Sequence, residues 1–299
     1  MPSPTDPEAL ALTLEASGDY KVLRRFKPVT SYHPPDGAKT TTALVLDTET
    51  TGLSASGDAI IQLAMVPFEF APETGRIYGV SEPISYLEDP GRPIPAEITA
   101  LTGISDADVK GKRIDDAAVE AVVKSASLII AHNAGFDRPF MERRLPIFRE
   151  KHWACSQQEV PWRAAGSRSG ALEFLLIKRC GMFFDAHRAD HDCQALVHLL
   201  ATPLESGELP LALLLQSARR KSVRLWAEQA PIASKDALKT RRYRWNPGTD
   251  GRPKAWYKEL GREDLAAELV WLTAEVYGGS LPTLRQDPLD AKSRYSDRG

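Results

Sequence analysis

Two acidic residues, Asp47 and Glu49, lie two positions apart directly after the apolar segment 43–46. Side chains alternate between the faces of a β-strand, so this spacing predicts both carboxylates on one face at a strand end. Two close carboxylates repel each other and raise each other's pKa unless a cation lies between them. Their hard oxygen ligands favour Mg²⁺ or Mn²⁺ over Zn²⁺. The pair alone is a weak signal, because acidic residues are common at strand ends.

A third acidic residue, Asp137, follows a second apolar strand predicted at 127–131. Proline is tolerated in the first turn of a helix, so Pro139 predicts that Asp137 lies near a helix N-terminus. That position is just beyond the carboxyl end of a strand, where open α/β sheets place their sites. The alternative is an ordinary acidic residue that the helix dipole favours.

A histidine and an acid, His187 and Asp192, lie five residues apart at the start of a helix predicted at 191–201. On one helix their side chains would diverge by about 140° around the axis. We therefore predict His187 on the preceding loop and Asp192 in the first turns of the helix, where both reach one cavity. The alternative is a solvated loop, because a lone His-x4-Asp spacing carries no information.

The elements that would position these residues form a mixed α/β sheet. Three strands come first and are followed by strands that alternate with helices, an order typical of such sheets. The predicted strands are 42–47, 59–70, 76–87 and 127–131, and the predicted helices are 95–101, 114–125, one that ends at 145, 171–180 and 191–201.

The chain divides into four predicted parts. Residues 1–40 form an N-terminal extension that ends in a Pro/Gly-rich linker, and residues 41–203 form the domain that holds all the motif residues. A composition shift precedes a small domain at 209–279. The polar tail 280–299 is predicted to be disordered.

Length and charge limit the class of protein. A chain of 299 residues with 42% hydrophobic residues is long enough for a globular core, and its net charge of −2 excludes a uniformly basic nucleic-acid binder. A secretory signal is not predicted, and no apolar run reaches membrane-spanning length, so no membrane partner is predicted. Three cysteines without a CxxC pair predict a reducing, cytoplasmic location.

Taken together, three segments resemble the three motifs of the DEDDh 3′–5′ exonucleases. That superfamily includes polymerase proofreading (epsilon) subunits, oligoribonucleases and stand-alone repair nucleases. The matching segments are 44–53, 131–137 and 187–192, within a resemblance that spans about 42–201. It implies a ribonuclease H-like fold, a five-stranded mixed sheet flanked by helices. Many members have an Asp-Thr pair where this chain has the segment that begins at Trp153, so the substrate-side wall is expected to differ.

The resemblance also implies roles for the five motif residues. Two Mg²⁺ or Mn²⁺ ions would be held by four carboxylates. Asp47 would bridge both ions, Glu49 and Asp192 would complete one site, and Asp137 would hold the other. His187 would be the general base for the attacking water, since histidine as a residue type titrates near neutrality. The implied product is a nucleoside 5′-monophosphate released from a 3′ end.

The same motifs supply candidate substrate contacts. Thr48 and Thr50 would offer amides or hydroxyls to the terminal nucleotide, and Asn133 of the second motif is a further candidate. Leu53 and Phe136 would wedge or stack the last bases. As apolar residues beside a site, both are equally compatible with packing in the core.

A basic and aromatic stretch lies between residues 235 and 258, with eight basic residues against two acidic ones. Cationic surfaces with exposed aromatic rings hold single strands without sequence preference. The alternative is a small α+β domain of βαββα order whose tryptophans form the core. The unit also resembles a C-terminal accessory module of stand-alone bacterial exonucleases of this class. The accessory candidates are Arg242, Arg244, Trp245, Lys254, Trp256 and Lys258.

The leading hypothesis is a metal-dependent exonuclease that acts on the 3′ ends of single-stranded nucleic acid, with DNA favoured over RNA and a repair role. One alternative is a proofreading subunit whose main partner is a DNA polymerase. Another is a catalytically silent nucleic-acid-binding protein on a nuclease fold. The complete set of five motif residues argues against silence, because a decayed site usually loses a ligand.

Overall fold

A computed structural model describes residues 6–249 and 251–298. The chain divides into two compact units, Met1–Ser217 and Ala218–Gly299. Residues 1–5 of the predicted extension, Asp250 in the basic stretch and Gly299 of the predicted tail lie outside the described residues.

The first unit begins with a helix and a run of strands, continues with three helices and then mixes strands with helices. In chain order they are α1 (Pro7–Ala16), β1 (Arg24–Arg25), β2 (Thr41–Thr50), β3 (Ile60–Phe70), β4 (Ile77–Val80), β5 (Ile84–Leu87), α2 (Ala96–Thr102), α3 (Asp106–Val109), α4 (Asp116–Ser125), β6 (Leu128–Ala131), α5 (Ala134–Arg144), β7 (Trp153–Cys155), α6 (Ser156–Glu159), α7 (Leu172–Cys180), β8 (Met182–Phe183) and α8 (Ala189–Ala201). Helix α9 (Pro210–Arg219) then leads across the boundary between the two units.

The second unit follows with β9 (Ser222–Ala227), α10 (Lys235–Thr240), β10 (Arg244–Asn246), β11 (Ala255–Gly261), α11 (Leu265–Glu275) and β12 (Gln286–Leu289). Its boundary lies at Ser217 and Ala218, later in the chain than the start predicted at residue 209.

The main sheet of the first unit is mixed, as predicted. Its strand order is β4-β3-β2-β6-β7, and β5 also pairs with β3. Strands β2 and β3 are antiparallel, whereas β6 and β7 run parallel to β2. The third strand, predicted as one element at 76–87, is divided into β4 and β5. Pro83 lies in the break, and it has no amide hydrogen to continue the ladder, so the sheet has six strands rather than five.

Helices cover the central strands. Helix α8 packs against β2 and β3, and α5 packs against β2, β6 and β7. The centre of β2, from Ala43 to Leu46, is fully buried. Strands that are covered on both faces are apolar without alternation, which explains this run. Within the described ranges, no helix has both the length and the apolar character needed to cross a bilayer.

The N-terminal segment packs onto the first unit, in contrast to the linker predicted there. Strand β1 pairs in parallel with β8. The ring of Phe26 lies 5.2 Å from that of His198 on α8, and Tyr32 Oη lies 3.1 Å from His198 Nδ1. These contacts are between residues far apart in sequence, which local composition does not reveal.

The second unit is an antiparallel sheet of order β10-β11-β9-β12 with two helices. Its first five elements follow the predicted βαββα order, and its core includes Leu225, Leu260 and Leu272. The prediction of a disordered tail at 280–299 was wrong for β12. That strand pairs with β9, and Asp287 accepts a hydrogen bond of 2.6 Å from the Trp226 indole.

Candidate metal centre

Three carboxylates meet at the end of β2. One carboxylate oxygen from each of Asp47, Glu49 and Asp192 lies within 4.8 Å of the other two. All three residues are half-buried. Asp47 and Glu49 alternate along β2 with the buried Thr48 and Thr50, so the two acids share a face of the strand as predicted.

Local backbone features position these acids. The pairing register of β2 with β3 shifts between Glu49 and Thr50, an irregularity that re-aims side chains at the strand end. Asp192 lies in the first turns of α8, and its Oδ2 accepts a hydrogen bond of 3.0 Å from the Arg188 amide. The strand end and the helix start therefore present their carboxylates to one point.

Asp137 lies beside this cluster but is held separately. It is in the first turns of α5 and is 2% exposed. Its Oδ1 accepts hydrogen bonds from the Thr48 amide at 3.0 Å and the Thr48 hydroxyl at 2.8 Å. Pro139 lies further inside the helix than the first turn in which we predicted it.

Burial and mutual repulsion raise the pKa of the two acids on β2. For Asp47, burial is the largest cause, followed by the charges of Asp137, Asp192 and Glu49, and together they raise its pKa well above the ordinary range. For Glu49, burial and then Asp192 and Asp137 raise the pKa to about 7. Without a cation, the charged forms of both acids are therefore disfavoured.

The pKa values of the other two acids are also raised, although hydrogen bonds oppose the shift. Burial raises the pKa of Asp137 to about 7 against the lowering effect of the two Thr48 donors. Burial raises the pKa of Asp192 to about 7 against the lowering effect of the backbone amides of Arg188 and His187. All four acids are therefore costly to ionise together, a cost that a divalent cation would offset.

The donor set fits hard divalent cations. It consists of carboxylate oxygens, which suit Mg²⁺ and Mn²⁺, and it includes no thiolate. Partial exposure of Asp47, Glu49 and Asp192 leaves the cluster open to solvent. These residues therefore have the chemistry and the access that a metal centre needs.

His187 lies on the loop before α8, as predicted, with an exposed side chain. Its φ of 63° is in the left-handed region, which histidine adopts more readily than most residues. It is not one of the residues whose ligand atoms cluster within 4.8 Å. The structure thus brings together three of the predicted metal ligands, keeps Asp137 next to them and leaves His187 at the exposed rim.

Three of the donors that we predicted for the terminal nucleotide form hydrogen bonds within the protein. Both the amide and the hydroxyl of Thr48 donate to Asp137. The hydroxyl of Thr50 donates to the Gly52 carbonyl at 2.6 Å. Both side chains are buried, so their hydroxyls hold the site together instead of facing solvent.

The other candidate substrate contacts remain accessible. Leu53 is 88% exposed on the turn after β2. Phe136 is half-buried, with its ring 5.1 Å from that of Phe140. Asn133 is exposed at the start of α5 with a left-handed φ of 78°, and its side chain makes no capping hydrogen bond. An exposed leucine fits a wedge better than a core position.

Two positioning residues were not recognised in the sequence. Gln62 on β3 accepts a hydrogen bond from the Ala189 amide at 3.3 Å, which ties the start of α8 to the sheet. The sequence signal for Gln62 was a polar residue inside an otherwise apolar strand, and the structure buries its side chain.

The second positioning residue is His132. Its ring lies 2.7 Å from both Ser156 Oγ and the Gly170 carbonyl. Burial lowers the pKa of His132 to about 4, so the ring is neutral, with Nε2 donating to the carbonyl.

The accessory cations of the second unit differ in their surroundings. Arg242, Arg244 and Lys254 are exposed. Lys258 instead lies with its Nζ 3.0 Å from a carboxylate oxygen of the buried Glu268. The charge of Lys258 is therefore compensated inside the domain, and it is a poorer candidate for contact with phosphate than the sequence predicted.

The two accessory tryptophans face each other across β10 and β11. Trp245 and Trp256 are direct cross-strand partners, with ring centroids 5.5 Å apart. Trp256 packs partly against the core, whereas Trp245 is 48% exposed. The Trp256 ring is thus part of the domain's packing, whereas the Trp245 ring lies largely on the domain's surface.

Comparison with known proteins adds a family match. The family model for exonucleases (RNase_T) matches residues 44–200. A DNA polymerase III subunit epsilon-like protein of Rhodobacter capsulatus is 40% identical over 112 residues, which is 34% of this chain and 14% of that protein. A PolC-type DNA polymerase III of Streptococcus thermophilus is 31% identical over 172 residues, 54% of this chain and 11% of that protein. The matches thus span a small part of these curated relatives.

Solved structures of nucleases are also similar. A structure of exonuclease X in complex with 5′ overhanging duplex DNA is 26% identical, covers 58% of this chain and 90% of that one, and has a TM-score of 0.39. A structure of E. coli exonuclease I in complex with a dA16 oligonucleotide is 17% identical, covers 74% and 63% of the two chains, and has a TM-score of 0.48.

Proposed function

This chain belongs to the exonuclease family, and from that membership we propose that it is a metal-dependent 3′–5′ exonuclease. Its substrate is single-stranded nucleic acid, with DNA favoured over RNA, and its products are nucleoside 5′-monophosphates. The observation that carries the proposal is the group of three carboxylates within 4.8 Å at the end of β2, with Asp137 beside them.

The proposed cofactors are two Mg²⁺ or Mn²⁺ ions. Asp47 would contribute to both sites, Glu49 and Asp192 to one, and Asp137 to the other. When bound, such ions neutralise charge on the phosphoryl oxygens and stabilise the leaving alkoxide. Thr48 fixes one oxygen of Asp137 with two hydrogen bonds, so that this carboxylate is oriented before any ion binds.

His187 is the proposed general base. It would accept a proton from the water that attacks the terminal phosphodiester, which requires its side chain to turn from the exposed loop toward the carboxylates. Left-handed backbone at a non-glycine residue is costly and is often retained at functional sites, which supports a role for this loop.

Substrate contacts would come from the exposed candidates. Leu53 is proposed as the wedge against the terminal bases because its side chain is almost fully exposed on the turn that follows β2. Phe136 and Asn133, at the start of α5, are proposed to contact the same nucleic-acid strand. The side chains of Thr48 and Thr50 are proposed to act through hydrogen bonds within the protein, whereas Leu53, Phe136 and Asn133 contact the nucleotide.

A second candidate function is proofreading in association with a DNA polymerase. The names of the relatives support it, since one is epsilon-like and others are PolC-type polymerases. The two functions share the same chemistry and differ in partner. A proofreading subunit should remove a mismatched 3′ nucleotide from a primer–template faster than a matched one.

The test uses 5′-labelled single-stranded DNA, matched RNA and duplex DNA, each with Mg²⁺, Mn²⁺ or excess chelator. We expect a ladder of labelled fragments that shorten from the 3′ end, with DNA degraded faster than RNA and no cleavage in chelator. Early release of the labelled mononucleotide would show 5′ polarity and contradict the proposal. Full activity in chelator would contradict the metal requirement.

A further inference from the structure

The second unit contains a pocket that the catalytic proposal does not use. Its volume is about 530 Å³, and its lining residues are Ala230, Ile232, Lys235, Lys239, Trp245 and Trp256. This volume is in the range of small-molecule sites. Among the residues that the structure describes, the lining is aliphatic, aromatic and cationic, and it includes no acidic side chain. The pocket therefore suits a ligand with a flat apolar part and a negative charge.

Apolar side chains at this pocket are unusually exposed. Ile232 is 91% exposed and Trp245 is 48% exposed. The ring of Trp256 is held partly against the core and forms the fixed side of the pocket, with the ring of Trp245 tilted beside it. Large apolar groups that remain in solvent next to a pocket are typical of a binding surface.

The two lysines lie on one side of α10. Lys235 and Lys239 are four residues apart, so their side chains are neighbours on the helix surface. Both are exposed. Like charges at this spacing repel each other, and a bound anion would offset that repulsion. The pocket thus joins an exposed ring to a small cationic patch.

We infer that this pocket binds an unstacked base of a single-stranded nucleic acid, with Trp245 stacked on the base and Lys235 and Lys239 on adjacent phosphates. The choice of occupant rests on the proposed function and on charge complementarity, since a nuclease substrate supplies both an aromatic base and phosphates. An uncharged apolar peptide would satisfy the rings and leave the two lysines without a counter-charge.

Strand alternation refines the set of accessory residues predicted from the sequence. Trp245 and Trp256 share one face of the β10–β11 pair, while Arg244 pairs with Tyr257 on the other face. Arg244 therefore points away from the pocket. Lys235 and Lys239 belong to the eight basic residues of the stretch but were not among the accessory candidates. In the structure they take the place of Arg244 and Lys258 as the cations beside the rings.

The test measures the affinity of the full chain for a 5′-fluorescein-labelled dT16 by fluorescence anisotropy in chelator. Trp245→Ala is expected to raise the Kd by about 5-fold to about 150-fold, the range for loss of one stacked base, and Trp245→Phe to recover most of the affinity. Lys235→Glu and Lys239→Glu are each expected to raise the Kd and to lower the log–log salt slope by about 0.7 per lost phosphate contact.

Matched controls come from the same unit. Val270 on α11 is 71% exposed, so Val270→Ala removes an exposed apolar side chain outside the pocket lining. Lys221→Glu repeats the charge reversal at an exposed lysine outside the lining. Both controls are expected to keep the Kd within about 2-fold of wild type. Melting temperatures of all variants show whether each domain remains folded.

The outcome is separable from that of the proposed nuclease activity, because binding is measured without cleavage. If Trp245→Ala and Lys235→Glu both bind dT16 within about 2-fold of wild type, or no more weakly than the two controls, the inference is overturned. Such a result would assign the exposed rings to a protein partner. If Trp245→Ala failed to fold, a loss of affinity in Lys235→Glu would still support binding of nucleic acid at this pocket.

Discussion

Replacing Asp47 or Asp192 with asparagine is expected to slow phosphodiester cleavage by roughly 10³-fold or more, because metal ions contribute several kcal/mol to stabilising the transition state. Both acids belong to the group whose oxygens lie within 4.8 Å, so each substitution removes a charge that the cations require. The fold should persist. Removing one carboxylate relieves the repulsion that raises the pKa of its neighbours, so the metal-free variant should be at least as stable as wild type.

The matched control for these variants is Asp185→Asn. Asp185 is an exposed acid before α8 that pairs with Arg25 and is not one of the three clustered carboxylates. Its substitution should leave the cleavage rate within about 2-fold of wild type, since exposed ion pairs contribute little. Initial rates on labelled single-stranded DNA and melting temperatures in chelator provide the comparison. A rate above a tenth of wild type in Asp47→Asn or Asp192→Asn would mean that the ligands are assigned incorrectly.

Replacing His187 with alanine is expected to slow turnover by roughly 10²-fold to 10⁴-fold, the usual contribution of a general acid–base group. Metal binding should be largely kept, because His187 is not among the clustered ligands. Histidine as a residue type titrates between about pH 6 and 8, so the dependence of rate on pH over that range should flatten in the variant. Single-turnover rates at a series of pH values measure both effects.

His191→Ala is the matched histidine control. His191 lies on α8, one residue before Asp192, and its Nδ1 is 3.3 Å from the Asp185 carbonyl. That variant should keep the wild-type pH dependence. A pH profile that is unchanged in His187→Ala would contradict its assignment as the base.

Local periodicity was sufficient to predict the acidic pair and the sheet around it. Side chains alternate along any β-strand, so the spacing of Asp47 and Glu49 places them on one face. This alternation is a local property that needs no contact with distant residues. The apolar runs that became β2 and β6 were also predicted as strands. Their parallel pairing, which brings Asp137 next to Thr48, is seen only in the structure. The loop position of His187 and the helical position of Asp192 followed from the same kind of spacing.

Features that depend on contacts between distant residues were not predictable in this way. The donors of Thr48 are both used by Asp137, 89 residues later in the chain. Strand β12 forms because β9 offers a free edge and the Trp226 indole pairs with Asp287, although the tail is polar in composition. The N-terminal segment docks through Phe26, whose only local signal is its hydrophobicity. Each depends on tertiary partners that composition does not identify.

The electrostatics of the cluster lead to a direct test of cation binding. Carboxyl groups in an unfolded chain have pKa values of about 4, whereas burial raises those of Glu49, Asp137 and Asp192 to about 7 in the folded protein. Between about pH 4 and about pH 7 the folded state therefore binds more protons than the unfolded state. The free energy of unfolding contributed by these groups consequently falls as pH rises through that window and stays low above it.

The measurement that tests the metal centre most directly is the melting temperature with Mn²⁺ and with chelator, at pH 5.5 and pH 8, for wild type and Asp192→Asn. We expect Mn²⁺ to stabilise the wild type more at pH 8, above the pKa of about 7 of Glu49, Asp137 and Asp192, than at pH 5.5, where protons compete with the ion. In Asp192→Asn the Mn²⁺ shift should be much smaller, and the melting temperature in chelator at pH 8 should not be lower than that of wild type. An equal Mn²⁺ shift in both proteins, or no shift in the wild type at pH 8, would contradict a metal centre formed by these four acids.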